Sequence, residues 1–387
     1  MTSAAVAVAV MAVWLYLLAA RARLGEGSDF DRRPPAPAPE SWPAVTVIVP
    51  ARDESEMLRF TLPSLLSFYY PSAVETILVD DCSQDGTGEA AAQTARALGR
   101  DDLRVLAGTP PPAGWRGKLW ALEQGVRASG GEWLLFADAD MIFEPELLRD
   151  LVRWALSQGY QAVSLMARLR AETWWDRLLI PPFVFFFHLL YPFHRVRDPR
   201  SPVAAAAGGC VLVQRTALDR AGGLAAVRGA WIDDLALAGA LKRSGARLYL
   251  GASSRARSFR RYGTPGALWR MVSRSAFTQL RHSWALVAGV VLGLGVLFGA
   301  PVAGILAASL RPAETLSGGW AAVGGVASAV SVAVMVASYG PILRLYRLPL
   351  VWGFTLPVAA LLYGAMTVSS ALEHAFGRGP QWKDRPA

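Results

Sequence analysis

Two aspartates follow a short apolar segment near the middle of the chain. Residues 132–137 read Glu-Trp-Leu-Leu-Phe-Ala, and Asp138 and Asp140 follow directly with one alanine between them. This run predicts a buried β-strand, and strands of open α/β sheets present ligand-binding groups at their carboxyl ends. Two carboxylates there can hold a hard divalent cation and the phosphates that it bridges. For an isolated Asp-Ala-Asp, a solvated surface turn is the alternative.

Strand and helix patterns alternate along the chain around this segment. Strands are predicted at residues 45–50, 76–80, 103–106, 132–137, 162–166 and 211–213. Helices are predicted at residues 89–98, 119–128 and 233–243. Such alternation indicates an α/β fold with a mainly parallel sheet and helices on both faces. The glycine fingerprint of dinucleotide-binding folds is missing, since Pro50 to Glu56 contains no glycine.

Further charged residues stand at the starts of predicted helices. Lys118 precedes the helix at 119–128, where a lysine and exposed amides suit a pyrophosphate; an ordinary solvated lysine is the alternative. Asp233 and Asp234 begin the helix that runs to Arg243. Acidic residues there also stabilise a helix by about 0.3–1 kcal/mol, so capping is their alternative role.

The composition is unusually hydrophobic for a soluble protein, and it is basic. Of 387 residues, 53% are hydrophobic and 18% are charged, and the net charge is +9. The basic balance suits anionic ligands or an anionic lipid surface without choosing between them. No motif supports nucleic-acid binding or a zinc cluster. The two cysteines, Cys82 and Cys210, are too few for a disulfide framework and are expected to be free thiols.

Long uncharged segments lie at both ends of the chain. Residues 1–24 are predicted to form an uncleaved anchor, because the arginines follow the apolar run, and this order places the next domain in the cytoplasm. Residues 25–42 read as a proline-rich linker. The region 285–372 contains three further runs that can span a bilayer. Four spans place the tail at 373–387 outside, whereas its basic residues Arg378, Lys383 and Arg385 favour inside.

Two segments between these regions suit the membrane surface. Residues 174–195 are rich in aromatic side chains, and Pro181 and Pro182 interrupt the apolar run. An interfacial segment and a buried core helix are both consistent with this pattern. Residues 261–284 are predicted to form a basic interfacial helix, and residues 43–260 the catalytic domain before it.

Taken together, the motifs resemble those of family 2 inverting glycosyltransferases with the GT-A fold. The resemblance covers residues 42–284 and rests on six motifs in register: Val45 to Glu56, Asp80 to Thr87, Gly117-Lys118, Asp138-Ala139-Asp140, Gly208-Gly209 and Asp233-Asp234. A closer likeness is to the hopene-associated branch of that family. It is carried by residues 115–120, 164–170, 178–188, 204–210, 231–235 and 277–282.

The resemblance implies roles for individual residues. The donor contacts it implies are Pro50, Glu54, Asp81, Lys118, Asp138, Gln279 and Arg281. Asp140, with Asp138, would bind Mg²⁺ or Mn²⁺. Asp234 would be the general base and Asp233 its orienting neighbour. The spacing of Gln279, Arg281 and Trp284 departs from the Gln-x-x-Arg-Trp signature of membrane-embedded members, which puts the role of Trp284 in doubt.

The implied activity is sugar transfer from a nucleoside diphosphate sugar to a lipid acceptor. The enzyme would sit in the bacterial cytoplasmic membrane as a multi-pass protein with its catalytic domain in the cytoplasm. A processive polysaccharide synthase is one alternative, which the few spans and the altered signature disfavour. A nonenzymatic nucleotide-sugar-binding scaffold is another, but a scaffold has no need of the base Asp234.

Overall fold

The computed structural model describes residues 2–24, 30–32, 36–310 and 319–377. The predicted linker lies partly outside this range, and the tail from residue 378 onward lies wholly outside it, with Arg378, Lys383 and Arg385. The described chain forms two compact units. We call residues 30–32, 36–170 and 188–261 the sheet unit, and residues 2–24, 171–187, 262–310 and 319–377 the helical unit.

The described part of the sheet unit contains an eight-stranded sheet. Its strands are β1 (Val45–Ala51), β2 (Val74–Asp80), β3 (Leu103–Ala107), β4 (Trp133–Ala137), β5 (Met141–Phe143), β6 (Ala162–Arg168), β7 (Cys210–Gln214) and β8 (Leu248–Ser258). They lie in the order β3-β2-β1-β4-β7-β6-β8-β5. The neighbours β3-β2, β2-β1, β1-β4 and β6-β8 are parallel, and the other pairs are antiparallel. The predicted mainly parallel α/β sheet is confirmed.

Helices cover the sheet and form the helical unit. In chain order they are α1 (Thr2–Leu24), α2 (Ser55–Leu65), α3 (Thr87–Ala97), α4 (Gly117–Ala128), α5 (Leu147–Gln158), α6 (Trp174–Leu190), α7 (Phe193–Arg197), α8 (Arg215–Arg220), α9 (Asp233–Arg243), α10 (Pro265–Gln279), α11 (Trp284–Leu294), α12 (Ala300–Ser309), α13 (Gly319–Leu345) and α14 (Leu356–Ala375). In the sheet unit, Leu58 of α2 and Leu151 of α5 share one apolar core with Val47 and Leu135. Burial of such side chains on both faces is typical of parallel strands.

Pro50 lies within β1, which continues to Ala51 instead of ending at the proline. The N–H of Trp133 donates to the carbonyl of Ala44, so the backbone N–H and carbonyl groups of even-numbered residues in β1 point toward β4. The β1–β4 ladder ends at Ile48. The position of the N–H that Pro50 lacks is therefore beyond the last residue of β1 that pairs with β4. The proline costs the sheet no hydrogen bond between these strands.

The sequence analysis missed two strands, β5 and β8. The eleven residues of β8 read Leu-Tyr-Leu-Gly-Ala-Ser-Ser-Arg-Ala-Arg-Ser, in which small and basic residues replace a continuous apolar run. Its long-range partners β6 and β5 hold it in the sheet. This omission matters because β8 ends next to the predicted metal ligand Asp140, whose carbonyl accepts a hydrogen bond from the N–H of Phe259 at 2.7 Å.

The helical unit contains segments long and apolar enough to cross a membrane. Four occur in the described chain: Ser3–Ala20, Trp284–Ser309, Gly319–Leu345 and Leu350–Ala375. Within the unit α1 packs along α13, and the indole N–H of the buried Trp14 donates to the carbonyl of Leu297 at 2.9 Å. The predicted number of apolar segments is confirmed by their length and composition.

Most of the aromatic segment forms one helix, α6, which continues through Pro181 and Pro182. Two adjacent prolines remove only two N–H groups, and tertiary packing can hold such a helix together. Phe185 in its middle is fully buried, whereas Trp174 and Trp175 at its start are 56% and 41% exposed. The segment therefore has a core part and an exposed aromatic end.

Candidate active site

Four predicted carboxylates follow strands that end at the same edge of the sheet. Glu54 follows β1, Asp81 follows β2, and Asp138 and Asp140 follow β4. Because β1 runs parallel to both β2 and β4, these residues leave the sheet on one side. The carboxyl edge of an open sheet is where such folds bind ligands.

Two neighbouring aspartates at the end of β2, Asp80 and Asp81, make different contacts. Asp80 accepts hydrogen bonds from the N–H groups of Ser83 and Gly88, at 3.0 and 3.1 Å, and so shapes the loop. Asp81 is fully buried, and its carboxylate lies 3.7 Å from the guanidinium of Arg52. Asp81 is thus fixed by its neighbours at the position predicted to face the base of the donor.

Lys118 joins the Asp-Ala-Asp motif to the start of α9. Its Nζ lies 2.8 Å from Oδ1 of Asp138 and 3.0 Å from Oδ2 of Asp233. Burial alone would lower the pKa of Lys118, but the two carboxylates outweigh it and hold that pKa above its ordinary value. Lys118 therefore carries a positive charge between two predicted site residues, and the solvated-lysine alternative does not hold.

Two backbone amides fix the carboxylate of Asp234. The N–H of Gly208 donates to Oδ2 at 2.9 Å, and the N–H of Leu235 donates to Oδ1 at 2.8 Å. Burial and, to a smaller extent, the charge of Asp233 raise the pKa of Asp234 to about 7, although Lys118 and the two amides oppose the rise. A carboxylate with a pKa near 7 suits general-base chemistry at neutral pH.

Pro50 also belongs to this edge of the sheet. A small cavity of about 20 Å³ has Pro50 in its lining, together with Phe136, Val211, Leu224 and the polar residues Lys118, Asp138, Gly208, Asp233 and Asp234, among others. Its apolar walls reduce the contact of these charges with water, which strengthens their interactions. Five predicted site residues, Pro50, Lys118, Asp138, Asp233 and Asp234, thus line one cavity.

Arg260 connects Asp140 to Glu54, a contact that the sequence analysis did not foresee. Its Nη2 lies 2.7 Å from Oε1 of Glu54, and its Nε lies 2.9 Å from Oδ2 of Asp140. The hydroxyl of Ser258 donates to the same Oδ2 at 3.1 Å. Arg260 follows β8, whose last residue, Ser258, pairs with Met141, so the contact depends on a strand that was not predicted from the sequence.

A second unforeseen contact holds the loop before α9. The guanidinium carbon of Arg116 lies 3.6 Å from the ring centroid of Trp231, and the N–H of Arg116 donates to the carbonyl of Arg228 at 2.9 Å. Lys118 contacts Asp233 two residues further along each segment. The start of α4 is therefore joined to the start of α9 by a cation–π contact and an ion pair.

The remaining predicted contacts lie in the helical unit. Gln279 is the last residue of α10, Arg281 follows in a turn with a φ of 52°, and Trp284 begins α11. The site residues described in the preceding paragraphs, from Pro50 to Arg260, all belong to the sheet unit. Contact of Gln279 and Arg281 with the donor stays a prediction.

Asp138 and Asp140 have the chemistry that a hard divalent ion requires. Both offer carboxylate oxygens, and each is contacted by a cationic side chain, Lys118 or Arg260. Within the described residues, no group of three or more His, Cys, Asp or Glu side chains forms a metal site alone. Mg²⁺ is commonly bound by one or two carboxylates and completed by substrate phosphates, and Mn²⁺ takes similar oxygen ligands. The two aspartates fit such an ion.

Comparison with known proteins shows the family to which the chain belongs. The model of a family described as glycosyltransferase like family 2 matches residues 43–278, which is more than half of the chain. The chain belongs to this family. The matched region contains all the candidate site residues of the sheet unit described above, from Pro50 to Arg260.

Individual relatives match the glycosyltransferase over shorter stretches. It is 35% identical over 99 residues to the probable glycosyltransferase YdaM of Bacillus subtilis, covering 25% of this chain and 23% of that one. It is 30% identical over 139 residues to the undecaprenyl-phosphate 4-deoxy-4-formamido-L-arabinose transferase of Aeromonas hydrophila, covering 34% and 40%. It is 33% identical over 115 residues to the 4,4'-diaponeurosporenoate glycosyltransferase of Staphylococcus aureus, covering 30% and 28%. The glycosyltransferase thus spans less than half the length of these relatives.

A solved structure matches the glycosyltransferase over nearly its whole length. The mannosyltransferase PcManGT from Pyrobaculum calidifontis, in complex with GDP-Man and Mn²⁺, aligns with a TM-score of 0.56 at 20% identity, covering 97% of this chain and 99% of that one. At this identity the match establishes the fold, and the predicted GT-A-like α/β architecture is confirmed.

Proposed function

We propose that this protein is a membrane-bound inverting glycosyltransferase that moves a sugar from a nucleoside diphosphate sugar to a lipid acceptor. The observation that carries the proposal is the position of Asp234. Two amides fix its carboxylate beside the cationic Lys118, on the side of the sheet that bears Asp81 and Asp138. A base and an anion-binding group in one cluster are what a single displacement at a sugar phosphate requires.

Donor binding in this proposal is the task of residues along the sheet edge. Asp81 accepts hydrogen bonds from N–H groups of the base, as a buried carboxylate can do for a uracil-like ring. Pro50 and Glu54 lie at the end of β1 and complete that side of the site. Lys118 supplies positive charge to the diphosphate, while Asp138 approaches the ribose.

Asp234 acts on the acceptor. Its carboxylate takes the proton of the acceptor hydroxyl while that oxygen forms a bond to the anomeric carbon. The bond from the anomeric carbon to the phosphate oxygen breaks on the opposite face, and the electron pair leaves with the nucleoside diphosphate. One displacement inverts the configuration, so no nucleophilic side chain is needed. Asp233 holds Lys118 beside this reaction through its 3.0 Å contact.

Asp138 and Asp140 are the proposed ligands of a divalent ion, either Mg²⁺ or Mn²⁺. When bound, such an ion neutralises charge on the departing diphosphate. The Mn²⁺ in the complex of the matched mannosyltransferase supports the assignment. The two carboxylates themselves position the donor, because each is held in place by a cationic partner.

A lipid acceptor and a bacterial cytoplasmic membrane are proposed from the apolar helices and from the relatives. Four described segments have the length and hydropathy of membrane spans. Two matched relatives are named for lipid substrates, undecaprenyl phosphate and diaponeurosporenoate. The arginines that follow the first apolar run favour a cytoplasmic catalytic domain. A hopanoid-related acceptor rests on the branch resemblance alone.

The test is nucleotide release by the full-length protein in lipid nanodiscs. A panel of UDP- and GDP-sugars is supplied with and without divalent metal and extracted bacterial lipids, followed by mass spectrometry of the lipids. We expect a metal-dependent signal that lipid stimulates, with one sugar added to one lipid class. Donor binding without any transfer, on every lipid tested, would contradict the proposal and favour a binding scaffold.

A further inference from the structure

Arg260 places one guanidinium between two carboxylates from different parts of the fold. Glu54 comes from the loop after β1 and Asp140 from the turn after β4, and Arg260 lies 2.7 and 2.9 Å from them. Its backbone N–H donates to the hydroxyl of Ser258, which itself donates to Asp140. The arginine is therefore anchored at the end of β8 with both carboxylates within reach.

Limited contact with water makes this bridge important for the two carboxylates. The side chain of Glu54 is 9% exposed and that of Asp140 is 13% exposed. Anions with so little hydration repel each other strongly and require a counter-charge. The planar fork of an arginine supplies donors to two carboxylates at once, which the single ammonium group of a lysine does less well.

The bridge uses the same carboxylate that is proposed to bind the divalent ion. Oδ2 of Asp140 accepts from both Arg260 and Ser258. A metal ion needs lone pairs of that carboxylate, and it would meet a positive guanidinium at hydrogen-bonding distance. In the arrangement observed, a metal ion at Oδ2 would have to displace Arg260, and one at Oδ1 would lie beside the guanidinium charge.

We propose that Arg260 is an internal counter-cation that competes with the divalent ion for Asp140. The inference rests on the proposed metal role of Asp140. Metal binding then requires the Arg260 bridge to open, so that metal binds weakly to the donor-free enzyme. The diphosphate of the donor adds negative charge that offsets the guanidinium, and binding of metal and donor becomes cooperative.

The experiment measures Mn²⁺ affinity of the full-length protein in nanodiscs without donor, by the electron paramagnetic resonance signal of free Mn²⁺. We expect Arg260→Gln to bind Mn²⁺ roughly threefold to tenfold more tightly than the wild type, because the competing pair is gone. Arg260→Lys keeps the charge but loses the two-sided fork, and its affinity should fall between the two.

A matched control separates competition from the general effect of removing a positive charge. Arg255 lies in β8, five residues before Arg260, but contacts Glu144 and Asp150, so Arg255→Gln removes one charge without freeing Asp140. We expect its Mn²⁺ affinity to stay within about twofold of the wild type. Equal affinities for Arg260→Gln and Arg255→Gln would overturn the inference.

Asp140→Asn distinguishes this failure from a failure of the metal assignment. If that variant loses Mn²⁺ binding while Arg260→Gln matches the wild type, the metal site stands and the competition is refuted. If Asp140→Asn binds Mn²⁺ as the wild type does, the metal assignment itself is wrong, and the competition fails with it.

Discussion

The backbone N–H of Gly208 lies 2.9 Å from Oδ2 of Asp234, so the chain before β7 holds the proposed base directly. A Cβ atom at position 208 would lie 3.3 Å from Nζ of Lys118 and 3.4 Å from Oδ2 of Asp234. Both contacts are tight and involve charged groups of the site. Glycine at position 208 therefore allows the backbone to approach both charged groups closely.

Gly208→Ala should therefore lower kcat while leaving the fold intact. The added methyl displaces Lys118 or Asp234 by a few tenths of an ångström, and misplacement of reacting groups on this scale costs on the order of tenfold in rate. The measurement is kcat at saturating donor, with the melting temperature recorded in parallel. Gly130→Ala is the control, since a Cβ there meets nothing within 4 Å. Equal kcat for both variants would refute the role of the close approach.

The pH dependence of transfer follows from the pKa of Asp234. Burial raises that pKa to about 7, so the carboxylate is protonated at acid pH and cannot accept the acceptor proton. We expect kcat to rise with pH from 5.5 to 8.5, reaching about a tenth of its plateau at pH 6. A profile that is flat across this range would be inconsistent with Asp234 as the base.

Substitution of Asp233 tests the electrostatic cause of that profile. The negative charge of Asp233 raises the pKa of Asp234, so Asp233→Asn should move the midpoint of the kcat profile to lower pH. The variant also loses one partner of Lys118, and its plateau should fall. A midpoint that moves upward instead would show that another group controls the titration.

The contact between Arg116 and Trp231 should contribute to catalysis through the position of α9. A double-mutant cycle with Arg116→Met and Trp231→Ala, measured on kcat/KM, should give a coupling of about 0.5–2 kcal/mol, as cation–π pairs do. Arg127 and Trp120 form a longer pair, at 5.3 Å, away from α9. The same cycle on that pair should give no coupling in kcat/KM, and equal couplings would count against a positioning role.

We propose that the exposed end of α6 contacts the lipid acceptor. Trp174 and Trp175 are exposed, whereas Phe186 packs against Phe298 and Tyr363, so the tryptophans can be changed without disturbing the core. Trp175→Ser should reduce turnover of the lipid acceptor several-fold while leaving donor affinity unchanged. Trp320→Ser, in α13 and also exposed, is the control. Identical lipid turnover in the two variants would refute the assignment.

The sequence predicted those parts of the fold that local patterns determine. Buried strands such as β1 and β4 read as continuous apolar runs, and α9 begins at Asp233 and reaches Arg243 as predicted. The strand β8 was not predicted because eight of its eleven residues are small or basic, and only its pairing with β6 and β5 makes it a strand. Local propensity is a weak guide wherever tertiary pairing decides.

The candidate site shows the same difference between residues marked by a local pattern and residues that only long-range contacts bring into place. Asp138, Asp140 and Asp234 were recognisable because each follows a strand or starts a helix. The partners Arg260 and Trp231 lie more than a hundred residues from Asp140 and Arg116 along the chain, and no local pattern marks them. The bridge from Arg260 to Asp140 depends on the end of β8, so missing that strand also meant missing the arginine.

The central claim is that Asp234 removes the proton of the acceptor, and Asp234→Asn tests it most directly. Transfer to lipid and affinity for the donor nucleotide are measured on the same preparation in nanodiscs. The account predicts that transfer falls by at least roughly a hundredfold, the usual range for loss of a general base, while donor affinity changes by less than about threefold. Transfer at the wild-type rate in Asp234→Asn would contradict the account.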